Sequence, residues 1–80
     1  MDYKPHGVCS RSIHVDVDSE GFIHNVSFLG GCNGNLQGIS RLIEGMKAEE
    51  AISRLEGIRC GNKATSCPDQ LAHALREAIQ

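Results

Sequence analysis

Cys9, Cys32, Cys60 and Cys67 are the residues of this sequence best equipped for chemistry. A thiolate is either a nucleophile or a soft metal ligand, and its neighbours decide between the two. Cys67 has the most telling neighbours, in Thr65-Ser66-Cys67-Pro68-Asp69. Pro68 suits the first position of a helix, because its missing N–H would have no partner there and its fixed φ is already helical. Cys67 then stands on the rim of that helix. Thr65 and Ser66 are cap oxygens, Asp69 lies in the first turn, and the free N–H groups favour negative charge, a thiolate included. Six residues separate Cys60 from Cys67 and 22 separate Cys9 from Cys32, where a zinc knuckle has roughly two to four. Spacing alone therefore leaves three states open: a metal or cluster site, reduced and partly buried thiols, and a Cys60–Cys67 disulfide.

The elements that must position these thiols can be taken in chain order. Tyr3 to Cys9 reads as a short edge strand, since Pro5 is tolerated only at an edge or bulge. Ile13, Val15 and Val17 alternate with His14 and Asp16, which predicts a strand with its apolar side on a core. Asp18-Ser19-Glu20-Gly21 supplies a turn, and Phe22 to Leu29 returns as the partner strand, with Phe22, His24, Val26 and Phe28 on one face. The glycine-rich loop Gly30-Gly31-Cys32-Asn33-Gly34-Asn35 feeds a helix in which Leu36, Ile39, Ile43 and Met46 form a stripe that Leu42 widens. Gly45 ends it, and Met46 folds back. A second helix has Ala48, Glu49 and Glu50 in its first turn, Ala51, Ile52 and Leu55 on its apolar side, and Gly57 as its stop. The last helix runs from Pro68 to about Ile79, with Leu71, Leu75 and Ile79 inward beside Ala72 and Ala78. The fold class is α+β: a three-stranded antiparallel sheet, made of a hairpin and an edge strand, followed by three helices packed on one face.

On this frame every cysteine falls at an element boundary and none at an apolar periodic position, where a buried structural thiol belongs. The start of the first strand of a hairpin and the end of the second lie side by side, which brings Cys9 toward Cys32. Four converging thiolates form a ligand set for Zn²⁺ or an iron–sulfur cluster and exclude Mg²⁺ and Ca²⁺. Composition narrows the setting. With 80 residues the chain reads as a single domain, 1–80, whose small core calls for a staple. Eight basic residues against ten acidic ones, a net charge of −2 and only three aromatics argue against nucleic acid. Met1 to His6 leads into no apolar run, so nothing here reads as a secretory leader, and no stretch approaches membrane length. That points to the cytoplasm, where thiols serve metals or catalysis more often than disulfides.

Other residues have simpler readings. His14 and His73 are surface histidines, whereas His6, close to Cys9 in the chain, is retained as a substitute ligand. The glycine loop could cradle phosphate at a helix N-terminus but lacks a lysine, and positioning Cys32 explains its glycines as well. Glu44, Glu49, Glu50 and Glu56 are the solvated faces of two helices. No histidine has a predictable place beside a cysteine, so a hydrolase is not indicated.

The stretch Thr65-Ser66-Cys67-Pro68-Asp69, together with Gly31-Cys32-Asn33-Gly34-Asn35-Leu36 and the run through Gly45, resembles the TSCPD domain family over nearly the whole chain. The sequence looks like its small standalone members, related to the C-terminal domain of adenosylcobalamin-dependent ribonucleotide reductases. The resemblance implies a metal-binding accessory role, with a ribonucleotide reductase as partner and a link to deoxynucleotide synthesis. This chain has none of the reductase barrel, so no catalysis by itself is implied, although the resemblance brings ribonucleoside-diphosphate reductase with it as a family association.

A second resemblance is to iron–sulfur cluster scaffold proteins of the IscU/NifU type, whose fold is expected here. Cys9 before a hairpin, Glu20-Gly21-Phe22-Ile23 at its turn, Gly31-Cys32 opening a helix, Gly45-Met46-Lys47-Ala48-Glu49-Glu50-Ala51, and Ser66-Cys67 before Leu71-Ala72 follow that family's order. Its three ligand cysteines match Cys9, Cys32 and Cys67. Arg11 stands where the scaffold has an aspartate, Ser66 where it has a histidine, the helix after Cys32 is shorter by about a turn, and Cys60 is extra. These departures favour a closed four-cysteine site, Cys9, Cys32, Cys60 and Cys67, with Zn²⁺ the first expectation and an iron–sulfur cluster the second. The alternatives are a cluster scaffold or carrier using Cys9, Cys32 and Cys67 with iron–sulfur assembly proteins as partners, and a metal-free interaction domain.

Overall fold

The computed structural model describes residues 1–8, 10–31 and 33–80. Three strands, β1 (Asp2–Tyr3), β2 (Ser10–Val17) and β3 (Ile23–Gly30), form one antiparallel sheet in the order β1-β2-β3. The edge strand expected from Tyr3 to Cys9 is thus only two residues long. Pro5 brings no N–H to a ladder, and Gly7 turns the chain with φ +71°; the expected end of that strand, Cys9, lies outside the described residues. The β2–β3 turn is held by Asp18, whose Oδ1 accepts the N–H groups of Glu20 and Phe22, each at 2.9 Å.

Ile13 and Val15 are fully buried and Val17 packs on the same core, as their alternation predicts. β3 departs from its expected facing. Ile23 is fully buried, Val26 and Phe28 pack against the core, and His24 turns outward to Asp18 at 2.9 Å. Phe22 leaves the strand face and sits with Lys47 Nζ 5.0 Å from its ring centre. The cause is a bulge: Asp16 pairs with His24 and His14 with Ser27, so Asn25 and Val26 together oppose Val15. One extra residue reverses the in–out parity on either side of it. Asn25 absorbs the strain at φ +57°, a conformation that Asn tolerates better than most side chains. Burying an aliphatic side chain contributes about 1.5–3 kcal/mol, so placing Ile23, Val26 and Phe28 inward outweighs that local strain.

Three helices cover the apolar face: α1 (Asn33–Ile43) against β3, α3 (Cys67–Ile79) against β2, and α2 (Ala48–Leu55) against α3. Leu36 and Ile43 are buried, and Ile39 and Met46 pack at the core margin. Leu42 does not widen this stripe; it is 77% exposed, because it lies about 100° round the helix from Ile43. Gly45, at φ +80°, ends α1. Its N–H bonds to Ile23 O at 2.8 Å, and Ile23 N–H returns to Met46 O at 2.9 Å. Ala48, Ala51 and Ile52 bury one side of α2. In α3, Leu71, Ala72, Ala74 and Leu75 are fully buried, whereas Ile79, expected inward, is 42% exposed at the helix end. Among the described residues no helix is long and apolar enough to cross a membrane.

Candidate functional site

The mouth of α3 is built from its own cap. Ser66 has extended backbone, and its Oγ accepts Asp69 N–H at 3.2 Å and donates to Ile58 O at 2.6 Å. Ser66 is therefore the N-cap, Cys67 the first helical residue and Pro68 the second, one position later than expected for Pro68. The Ser66-x-x-Asp69 spacing carries that signal, because a cap hydroxyl reaches the N–H three residues on. Proline is equally at home at the second position, where the N–H still lacks a helical partner. Cys67 consequently belongs to the first turn and is half-buried.

Thr65, Asp69 and Gln70 hold this mouth to the rest of the chain. Asp69 is 6% exposed, and its Oδ1 accepts Gly57 N–H at 2.8 Å while its Oδ2 accepts the Thr65 hydroxyl and lies 3.5 Å from His73 Nε2. Burial pushes this carboxyl up, but the Thr65 hydroxyl, the Gly57 N–H and His73 outweigh it and leave the group below its ordinary 3.8. Gln70 donates to Thr65 Oγ1 at 2.9 Å and accepts from His6 N–H at 3.0 Å and Tyr3 O–H at 3.4 Å. Sequence reasoning placed Asp69 only as a first-turn acid and missed Gln70. The cap spacing points to the first, and no local pattern points to the second, whose side-chain oxygen is bonded by Tyr3 and His6, more than 60 positions away. Thr65, Ser66 and Asp69 thus serve architecture, which leaves the Cys67 sulfur as the reactive atom of the motif.

Ser10 Oγ lies 3.3 Å from that sulfur, and either atom can be the donor. Ser10, the residue after Cys9, is buried and pairs with Gly30 across the hairpin. Gly31, the residue before Cys32, has φ +83° and packs so closely on Ser10 that a Cβ there would stand 3.3 Å from Ser10 Cβ and 2.9 Å from Leu36 Cδ1. The residues bonded to Cys9 and Cys32 thus meet beside Cys67. Cys60 is exposed on a turn closed by Cys60 N–H to Thr65 O at 3.2 Å and Lys63 N–H to Cys60 O at 3.0 Å. It lines an open groove of about 540 Å³ together with Cys67, Pro68, Gly34, Gly38 and Leu42. Cys60 and Cys67 are both free thiols, not a disulfide. Cys9 and Cys32 lie outside the described residues, and among the described ones no three His, Cys, Asp or Glu side chains come together to hold a metal.

The histidines are engaged elsewhere or exposed. His14 bonds Asp2 at 2.7 Å and Asp16 at 3.2 Å, and His24 joins Asp18 to Glu44. Hydrogen bonds to Asp2 and Asp16 raise His14, and the bond to Asp18 raises His24. Asp16, bonded by the N-terminal ammonium, His14 and Asn25, is lowered to about 2. His6 is exposed, and its backbone N–H is what binds Gln70.

Comparison with curated proteins and with solved structures found no significant match. The family model described as the TSCPD domain matches residues 1–79. Its span takes in the sheet, all three helices and the capped mouth that carries Cys67, and the chain belongs to the TSCPD domain family.

Proposed function

We propose that this chain is a small accessory domain that holds one metal centre through Cys9, Cys32, Cys60 and Cys67, with Zn²⁺ ahead of an iron–sulfur cluster. One juxtaposition carries the reading: Ser10 against Cys67 Sγ, with Gly31 packed on Ser10 and Cys60 on the same groove as Cys67. Residues bonded to two cysteines and the side chains of two more are directed to one end of the fold. Four thiolates are a soft donor set that suits Zn²⁺ or iron and not Mg²⁺ or Ca²⁺. Bound there, the metal supplies a crosslink between the hairpin, α1 and α3, and its binding energy becomes folding energy for a small core. Service to ribonucleotide reduction in the cytoplasm, beside a reductase, is supported by the family's kinship alone.

A specific observation favours a second reading. Cys67 is the half-buried thiol against Ser10, whereas Cys60 is exposed on a turn, which suits a three-ligand scaffold of Cys9, Cys32 and Cys67 that passes an iron–sulfur cluster on. Metal analysis and an absorption spectrum of anaerobically purified protein separate the two. A colourless protein with one zinc supports the first reading, a brown protein with transferable iron and sulfide the second, and absence of metal under reducing conditions overturns both.

A further inference from the structure

β3 is the last strand on its side of the sheet. Its outer edge is engaged where it begins: Phe22 bridges Lys47, Ile23 exchanges hydrogen bonds with Gly45 and Met46, and Asn25 N–H bonds Glu44. Beyond the Asn25 bulge, over residues 26–30, no strand among the described residues pairs with that edge. Such an edge is a template for one more strand, and proteins that leave it open either blunt it or use it. α1 runs beside it, and the groove between them, about 250 Å³, has Val26, Phe28 and Leu36 as its apolar floor and Gln37, Ser40 and Arg41 along the helix side. Arg41 is exposed and has no ion pair among the described residues. The nearby acid just past the end of that helix, Glu44, is already taken up by Asn25 N–H and His24.

We infer that this groove binds an extended peptide of another protein, which adds as a fourth strand along residues 26–30. It places an apolar side chain over Val26, Phe28 and Leu36 and an Asp or Glu against Arg41. The two peptide residues stand two apart, because alternate side chains of a strand share a face. The main-chain pairing gives affinity, and the floor and the arginine give selectivity. Charge argues against a second copy as the occupant. Between Ile23 and Gly30 the strand has no acidic residue, so edge-to-edge pairing of two copies offers Arg41 no carboxylate and brings two uncompensated guanidiniums to one pair of strands. The inference does not rest on the thiols and stands whether or not a metal binds.

A phage-displayed library of random decapeptides, selected on the reduced full chain, tests this. The expected result is enrichment of peptides with an acidic residue two positions from an aliphatic or aromatic one. A synthetic peptide from that set should shift the backbone amides of residues 26–30 in NMR spectra. It should bind Arg41→Glu about tenfold more weakly or worse and Arg41→Lys with most of its affinity. No enrichment, equal binding to Arg41→Glu, amide shifts centred on the Cys60–Cys67 groove, or a concentration-dependent dimer paired through β3 overturns it.

Discussion

Ser10 Oγ and Cys67 Sγ, 57 positions apart in the chain, stand 3.3 Å from each other. The first residue of β2 thereby touches the first residue of α3, and the open end of the hairpin closes on the helix mouth. Gly31 permits this approach, because its backbone takes φ +83° and any side chain would meet Leu36 and Ser10.

Gly31→Ala is therefore expected to destabilise the fold by about 1–2 kcal/mol from φ alone, with a further cost from the contact. Gly38→Ala is the control, since Gly38 lies inside α1 with nothing within 4 Å of an added Cβ. It should stabilise by about 0.5–1 kcal/mol. Urea unfolding of the two variants beside the parent measures both, and a neutral Gly31→Ala would mean that the close approach is absent.

Asp69→Asn tests whether the motif aspartate is architectural. The carboxylate accepts from Gly57 N–H and Thr65 and faces His73, and a buried charged hydrogen-bond partner is worth about 1.5–3 kcal/mol. The variant should unfold at lower denaturant by about 2 kcal/mol while helix content by circular dichroism stays near that of the parent. Unchanged stability would leave the carboxylate without its structural role.

Stability should fall on both sides of a broad optimum at low salt. His14 and His24 are raised above 6.5 in the folded chain, so their contribution is fully present below 6.5 and is lost as pH rises through the raised folded values. Asp16 is lowered from 3.8 to about 2, so its contribution is present above 3.8 and is lost as pH falls toward 2. The melting temperature is expected to be highest between these limits. Added salt should shrink the effect, because the groups are exposed. His14→Gln should weaken the alkaline decline, and a decline identical to the parent's would show that His14 is not a source of it.

The chain order of strands and helices was legible because Ile13, Val15, Leu36, Ile43, Leu71 and Leu75 repeat at the spacings of the surfaces they cover. The facing of β3 was not. It turns on a bulge at Asn25 whose side chain bonds Asp16 and whose N–H bonds Glu44, partners that no local pattern reveals. Leu42 misled for a different reason, since apolar character alone does not place a residue on the buried arc of a helix. At the helix mouth the cap was readable one residue out of register, from Ser66 and Asp69, whereas the burial of Gln70 depends on Tyr3 and His6 at the other end of the chain. The shared groove of Cys60 and Cys67 follows from the turn closed by Cys60 and Thr65, whose conformation the sequence did not specify.

The most direct test of the four-cysteine centre compares metal content per chain in anaerobically purified Cys60→Ser and Cys67→Ser with that of the parent. One bound metal is expected in the parent, with its loss, or a large fall in retention against a chelator, in both variants. Full stoichiometry in Cys60→Ser with loss in Cys67→Ser would contradict the four-cysteine site and leave the three-ligand scaffold.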